Sequence, residues 1–224
     1  MGQQITLYRQ MMESLEYPRK NLRFYLCEGD SKDDTLGHLQ AWALTDERIQ
    51  VIKHDTGIPR EHHTTRPARM KAVSENGNVG WDAIAKDNWG EYALMIESDL
   101  LVTPNLLKRL IERMPAEADI FAPMIWIEVG SEFRFYDIWA FRQDFKRFPP
   151  TPPSWYANKY GYVPFELDSV GSCVLFRMKP IIDGLRLDET TCVKGMCDQA
   201  RKQGYRVFAD PDIDVIHPSI AGVS

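Results

Sequence analysis

Glu97 and Asp99 flank Ser98 at the end of YALMIE (92–97), a continuous apolar run that closes on acid. Such a run reads as a strand buried on both faces, which brings its carboxylates to the carboxyl edge of a sheet. Ligands of open α/β sheets bind at that edge. Carboxylates there suit a hard divalent cation that bridges two phosphates, although Asp99 could instead simply begin the turn into the next helix. A second acidic turn, Glu28-Gly29-Asp30-Ser31, follows another strand-like run, LRFYLC. Its acids could accept hydrogen bonds from a base or ribose, or serve only turn and capping chemistry. Arg60, Arg66, Arg69 and Lys71 supply the cations a pyrophosphate needs, with a solvated charged face as the plainer reading. His217, in VIHP near the end of the chain, is a candidate metal ligand beside the carboxylates. Imidazole with carboxylate and phosphate oxygens favours Mn2+ slightly over Mg2+. The pair His62-His63 falls in a polar loop and reads as solvated.

Two further groups complete the chemical inventory. Asp198, in the first half of a helix before the last strand, could act as a general base, with Asp168 and Glu166 competing for that role. The aromatic residues Trp126, Trp139, Trp155, Tyr156, Tyr160 and Tyr162 offer faces that stack on sugar rings or bases. Packing of a core and a lid would use the same rings.

The elements that must position these groups alternate between helix and strand signals, which predicts an α/β fold with a mainly parallel sheet. A first helix is expected over 5–16, a strand over 22–27, a helix to about Leu44 with Ser31 as its cap, and a strand over 48–53. A polar loop (54–65) precedes a long helix (66–88). Thr103 as cap and Pro104 at the first position begin the next helix. Strands follow at 119–129 and 133–141, joined by a hairpin around Gly130-Ser131. The stretch 148–164 is so rich in proline and aromatic residues that it reads as an ordered loop, and 142–164 as a whole as an acceptor-side loop. ELDSVGSCVLFR is a further strand, 193–203 a helix, and RVFADP with DIDVIHP the last strand. The absence of repeats or a linker makes 1–224 one expected domain.

Composition narrows the function. The chain has 224 residues, a net charge of −5 and no basic excess that would mark a nucleic-acid binder. Cys27, Cys173, Cys192 and Cys197 form no C-x-x-C pair and read as free thiols. No apolar run approaches the roughly 20 residues that span a bilayer, and MGQQITLYRQMMESLEYPRK is too polar for a signal segment. The expectation is a soluble, cytoplasmic protein.

Taken together, EGDS, the basic helix start RPARMKAVSENGNVG, MIESD, LDSVGSCVLF and GMCDQARKQGYRVFADPDIDVIHP resemble, in that order, the GT-A glycosyltransferases of the family 2 kind. There is also likeness to the mannan-polymerase type. The resemblance implies transfer of a sugar from a nucleoside-diphosphate sugar to a hydroxyl acceptor, with Mn2+ or Mg2+ as cofactor. It assigns the metal to Asp99 and His217, the donor to Glu28, Asp30, Arg66, Arg69, Glu97 and Ser98, and the base to Asp198 or Asp168. Trp126, Trp155 and Tyr156 would line the acceptor side, the acceptor being a glycan, a lipid-linked sugar or a modified nucleobase. Two departures stand out. Family members open with a central strand ahead of the first helix, and that strand is missing here. Glu97 stands where Asp is common, which makes Asp99 the principal metal ligand. A non-catalytic nucleotide-sugar binder is the first alternative. A nucleotidyltransferase, the second, would need a basic Gly-rich loop near the N-terminus that this sequence lacks.

Overall fold

The computed structural model describes residues 2–59 and 67–218. The chain opens with α1 (Gly2–Glu13), β1 (Phe24–Glu28), α2 (Thr35–Ala43), β2 (Ile49–Lys53), the long α3 (Pro67–Asp87) and β3 (Tyr92–Ile96). It continues with α4 (Leu106–Arg113), β4 (Ile120–Val129), β5 (Glu132–Phe135) and the two-residue strands β6 (Arg142–Gln143) and β7 (Lys146–Arg147). The last third comprises α5 (Pro153–Tyr160), β8 (Phe165–Leu167), β9 (Cys173–Arg177), α6 (Met178–Ile182), α7 (Cys192–Lys202) and β10 (Val207–His217). Among the described residues, no helix is long and apolar enough to cross a membrane. The four cysteines are free thiols.

The main sheet runs in the order β3-β9-β4-β10-β8, with β5 hairpinned onto β4, while β1 and β2 form a separate parallel pair. The α/β class is as expected, but the sheet is mixed rather than mainly parallel. Among the described strands, only β1–β2 and β4–β10 pair in parallel, whereas β9 runs antiparallel to both β3 and β4. Both sheet neighbours of β9 precede it in the chain, and β9 inserts between β3 and β4 from the opposite direction.

Strand periodicity sorts the core into two clusters. Ile120, Ala122, Met124, Val174 and Phe176 face Trp81 of α3 and Met196 of α7. Phe121, Ile125, Cys173 and Leu175 face Met12 of α1, Trp42 of α2 and Leu110 of α4. Side chains alternate across a strand, so this partition means that the sheet is covered on both faces. Apolar continuity, rather than alternation, was therefore the correct signal for these strands.

Four features differ from the sequence reading. The Pro-rich stretch contains helix α5, because Pro153 occupies its first turn, where a missing N–H costs nothing; Gly161, with φ 70°, closes it. Helix α4 starts after Asn105 instead of Thr103, since the Thr103 hydroxyl is turned to the Asn105 side chain at 2.8 Å. The expected strand 133–141 ends at Phe135: the Tyr136 N–H still donates to Ile125 of β4, but the Ile138 N–H then turns back to the Tyr136 carbonyl at 2.8 Å and the chain leaves the sheet. Ser31 does not cap α2; Asp33 accepts from the Thr35 N–H and hydroxyl there instead.

Candidate active site

The turn after β3 is pinned to the end of β10. Leu101 and Ile216 exchange both backbone hydrogen bonds, at 2.7 and 3.1 Å. This bridge joins residues far apart in sequence and brings Asp99 to His217, with Asp99 Oδ2 3.5 Å from His217 Nε2. His217 Nδ1 lies 2.9 Å from the Pro218 carbonyl oxygen. A protonated Nδ1 donates there and leaves Nε2 turned toward Asp99. Tyr136 stacks on the imidazole with ring centroids 3.9 Å apart and fixes its plane.

The electrostatics are those of a crowded anionic corner. Glu97 is exposed at its surface, yet the protein crowds its carboxylate. Desolvation, with the charges of Asp137 and Asp99, pushes its pKa up to about 7. Asp99 is held below the usual range by its hydrogen bond to His217. Burial of the His217 ring works against its charged form, but the Asp99 hydrogen bond and charge prevail and its pKa is raised. Asp99 Oδ1 is buried without a hydrogen-bond partner. Buried carboxylate oxygens are rarely left so. An orphan carboxylate oxygen beside an imidazole nitrogen is a donor set that fits Mn2+ or Mg2+. Among the described residues, no three His, Cys, Asp or Glu side chains converge to hold an ion by themselves. The remaining coordination positions would have to come from a diphosphate and water.

Glu28, Asp30, Arg69, Ser98 and Asp99 all lie on the wall of one cavity of 1160 Å³. Their roles within it differ. Glu28 is buried and accepts from the Ser31 N–H at 3.1 Å. Asp30, with φ 60°, accepts from the Thr56 and Gly57 amides and the Thr56 hydroxyl, which hold its pKa below the ordinary range. It ties the turns after β1 and β2 together, so its carboxylate is largely committed. Arg69, in the first turn of α3, is close enough to Asp99 and Glu97 to favour their charged forms. Arg66, like Arg60 and the pair His62-His63, lies outside the described residues.

The acceptor-side residues are distributed differently from expectation. Trp126 and Tyr156 are 3% and 0% exposed, packed edge-on to each other among Phe135, Phe141 and Phe148. The Trp126 N–H donates to Asp214 at 2.6 Å. Neither ring has a face to offer a ligand, so both are corrected to core residues. Trp155 stays partly exposed, with the Lys159 ammonium 4.9 Å above it. Asp168 is buried, paired with Arg201 at 2.8 Å and accepting from the Phe145 N–H; it fastens the β6–β7 hairpin to α7. Asp198 is half-exposed on α7 and paired with Lys194 at 2.7 Å. Arg142 feels the charges of both Asp198 and Asp137, which connects α7 electrostatically to the corner at Glu97.

Asp137 is a site residue that sequence reasoning passed over. It is buried, and its pKa is raised to about 6 by desolvation, while a hydrogen bond from Ser172 works in the opposite direction. Its Oδ2 has no hydrogen-bond partner. Gly171 makes room for it, since a Cβ there would come within 2.7 Å of Asp137 Oδ2. The available signal was an acid inside the apolar run FYDIWAF, which is rarely placed without purpose.

No protein-family model matches the chain, and no curated protein matches it by sequence. Solved structures do. A mannosyltransferase from Pyrobaculum calidifontis in complex with GDP-Man and Mn2+ superposes with a TM-score of 0.57 at 11% identity, over 94% of this chain and 52% of that one. TarS 1–349 from S. aureus superposes with a TM-score of 0.60 at 12% identity, over 96% of this chain and 56% of that one. GalNAc-T7 with UDP, GalNAc and Mn2+ gives 0.53 at 14% identity, over 90% and 39%. The chain thus spans about half the length of the first two structures and less of the third. These likenesses establish the fold as that of the GT-A glycosyltransferases, as the sequence motifs implied.

Proposed function

We propose that this chain transfers a sugar from a nucleoside-diphosphate sugar to a hydroxyl acceptor, with a divalent cation held by Asp99 and His217. The observation that carries the reading is the Asp99–His217 pair, with one buried carboxylate oxygen left unpartnered, on the edge of a cavity that Glu28, Asp30, Arg69 and Ser98 also line. A nucleoside diphosphate fits that order: Glu28, at the end of β1, on the side of the base and ribose, with Asp30 holding the turn that shapes it, and Arg69 and the cation for the phosphates. The solved structures of like fold hold GDP-Man, UDP and Mn2+, which supports the same ligand class here.

The cation, when bound, supplies Lewis-acid neutralisation of the departing diphosphate. The chain's own residues supply the rest. His217 is oriented by Pro218 and Tyr136, so its Nε2 enters the site without losing further rotational freedom. Glu97 shares the corner with Asp99 and stands next to the proposed cation site. Asp198 is the proposed acceptor base. It would have to exchange Lys194 for the acceptor hydroxyl. Asp168 supports this helix through Arg201 and serves as a positioning residue. Trp155 is the aromatic face proposed for the acceptor; a glycan, a lipid-linked sugar and a modified nucleobase are each compatible with it.

The test is a screen of UDP- and GDP-sugars with Mn2+, reading released nucleoside diphosphate. Release that needs both Mn2+ and Asp99 is expected. A folded protein that binds donors and releases nothing would instead identify a non-catalytic nucleotide-sugar binder. Pyrophosphate release from a nucleoside triphosphate plus a sugar phosphate would identify a nucleotidyltransferase.

A further inference from the structure

The stretch from 142 to 159 carries four cations, Arg142, Lys146, Arg147 and Lys159, against one acid, Asp144, in a chain whose net charge is −5. Further along the chain, cations are matched to acids: Lys194 holds Asp198, Arg201 holds Asp168 and Arg206 holds Glu166. Among the described residues, none of the four cations of 142–159 has a carboxylate within ion-pair distance; Arg142 bonds carbonyls and Lys159 lies over aromatic rings.

Lys146, Arg147 and Lys159 are exposed, and water can solvate them. Arg142 is different, being only 8% exposed. A charge taken out of water needs a partner, and arginine is rarely buried without one. Nη1 of Arg142 donates to the carbonyls of Ile138 at 3.1 Å and Phe141 at 2.8 Å, which fixes one side of the guanidinium. Nε and Nη2 donate to no described atom, yet neither is sealed from solvent. That edge is the fork with which a guanidinium takes two oxygens of one oxyanion.

The residue across the hairpin adds to the charge. Arg142 of β6 stands directly opposite Arg147 of β7, so both side chains leave the hairpin on the same face. Like charges placed so are destabilising. Burial, with the Arg147 charge, holds the Arg142 pKa below the ordinary guanidinium range. The charges of Asp137 and Asp198 act the other way, but both are engaged elsewhere, Asp198 by Lys194 and Asp137 by Ser172.

The hairpin is nevertheless held in this arrangement. Asp144 and Phe145 form its two-residue turn with φ of 51° and 62°, a backbone that a bulky residue adopts only under constraint. Asp168 supplies the constraint, accepting from the Phe145 N–H and pairing with Arg201 of α7. The Arg142 N–H donates to Ser169, and its carbonyl accepts from the Asp168 N–H. Two residues past Asp168, the Val170 carbonyl meets the thiol of Cys197, next to Asp198 on α7. Hairpin, segment 168–170 and α7 thus pack as one unit, with Arg142 within electrostatic reach of Asp198.

We propose that Arg142 and Arg147 receive a phosphate carried by the acceptor, close to the hydroxyl that is presented to Asp198. Two opposed guanidinium groups call for nearly two negative charges. A phosphate monoester brings about −1.5 to −2 at neutral pH, where a carboxylate brings one. The free edge of Arg142 takes two of its oxygens and Arg147 the third. The acceptor role rests on the sugar-transfer reading; phosphate binding at the hairpin does not.

The test titrates glycerol 1-phosphate, glycerate and glycerol into the protein without metal. NMR follows the Nε–H signals of Arg142 and Arg147 and the Phe145 amide, with the Ser98 and Asp99 amides reporting on the donor site. Glycerol 1-phosphate should shift the hairpin signals saturably, with glycerate about tenfold weaker or more and glycerol inert. Arg147→Glu sets an opposite charge across from Arg142. It should keep or raise the melting temperature, because attraction replaces repulsion, and weaken glycerol 1-phosphate binding about tenfold or more. Hairpin signals unmoved by glycerol 1-phosphate, or moved equally in Arg147→Glu, would overturn the proposal. Equal binding of glycerate would overturn the assignment to phosphate. With a donor from the sugar-nucleotide screen, the phosphate should lower the acceptor KM and Arg147→Glu should remove that advantage; equal KM for glycerol and glycerol 1-phosphate would overturn the acceptor role. Saturable binding at the hairpin with no transfer from any donor would instead overturn the sugar-transfer reading and leave the phosphate site standing.

Discussion

Replacing Asp99 by Asn separates the energetic role of this residue from its chemical one. In the folded protein its Oδ2 lies 3.5 Å from His217 Nε2, with the two side chains 44% and 9% exposed. An isolated pair at that distance in a water-like dielectric interacts by about 1 kcal/mol, and the half-open Asp99 side gives little reason to count more. Asn keeps the shape and an oxygen that can still accept a hydrogen bond. The variant should therefore unfold within about 1 kcal/mol of the parent, a shift of roughly 2–4 °C for a chain of this length. The loss at the proposed cation site should be far larger. Removing even an outer-shell partner of a metal ligand commonly costs about 10–100-fold in metal affinity, and a directly ligating carboxylate should cost at least that. The assay pairs Mn2+ binding, followed by EPR of the free ion, with nucleoside diphosphate release across a Mn2+ titration. A mild stability change with at least a 100-fold rise in the Mn2+ requirement is expected. Mn2+ affinity and release within twofold of the parent would refute the assignment of Asp99 as a ligand, whatever the activity of the protein.

Three other outcomes follow from the same structure. Asp137 is raised to about 6 in the folded chain, so the native state binds more protons than the unfolded one between pH 4 and 6, and stability should fall as pH rises through that window. Asp137→Asn should flatten this dependence and gain about 1–3 kcal/mol at pH 7, read by thermal melts at pH 4 and 7; parallel curves for the two proteins would contradict the buried charge. Arg113→Met strands Asp210, which is fully buried and bonded to Arg113 at 2.5 and 3.1 Å. Urea unfolding should show a loss of about 3 kcal/mol, the low end for a broken buried pair because the Asp212 N–H still donates to Asp210. Gly171→Ala would place a Cβ 2.5 Å from Ala140 Cβ and 2.7 Å from Asp137 Oδ2, so the corner at Glu97 must shift. A stability cost of about 1–3 kcal/mol should accompany at least a tenfold loss of diphosphate release, and full activity would argue against a role for Asp137 in shaping the site.

Much of the fold was legible in the chain because buried strands and capped helices leave local marks. The run YALMI, the acidic turn after LRFYLC and the long helix of residues 67–87 all appear close to where composition and periodicity put them. The resemblance to GT-A proteins rested on five such marks in order, and the superpositions bear out that fold. Asp99 and His217 could each be singled out by type and by position at a strand end. What local pattern could not reveal was contact. The pairing of Asp99 with His217 depends on the Leu101–Ile216 bridge, which is a property of two distant segments meeting. Trp126 and Tyr156 carry rings that suit a sugar or a core equally well, and only packing against Phe135 and Phe148 decided for the core. Asp137 looked like an interruption in an apolar run until Gly171 and Ser172 were found beside it. The antiparallel course of β9 was hidden for a similar reason, since strand direction is set by the connections and not by the strand's own residues. The chain by itself determined which segments are strands and helices and which side chains could do chemistry, because propensity and hydrophobic period are local. The tertiary structure alone decided which of those side chains meet, which are buried out of reach, and that one cavity is lined by Glu28, Arg69 and Asp99 together, because contacts and desolvation arise only when distant segments are brought together.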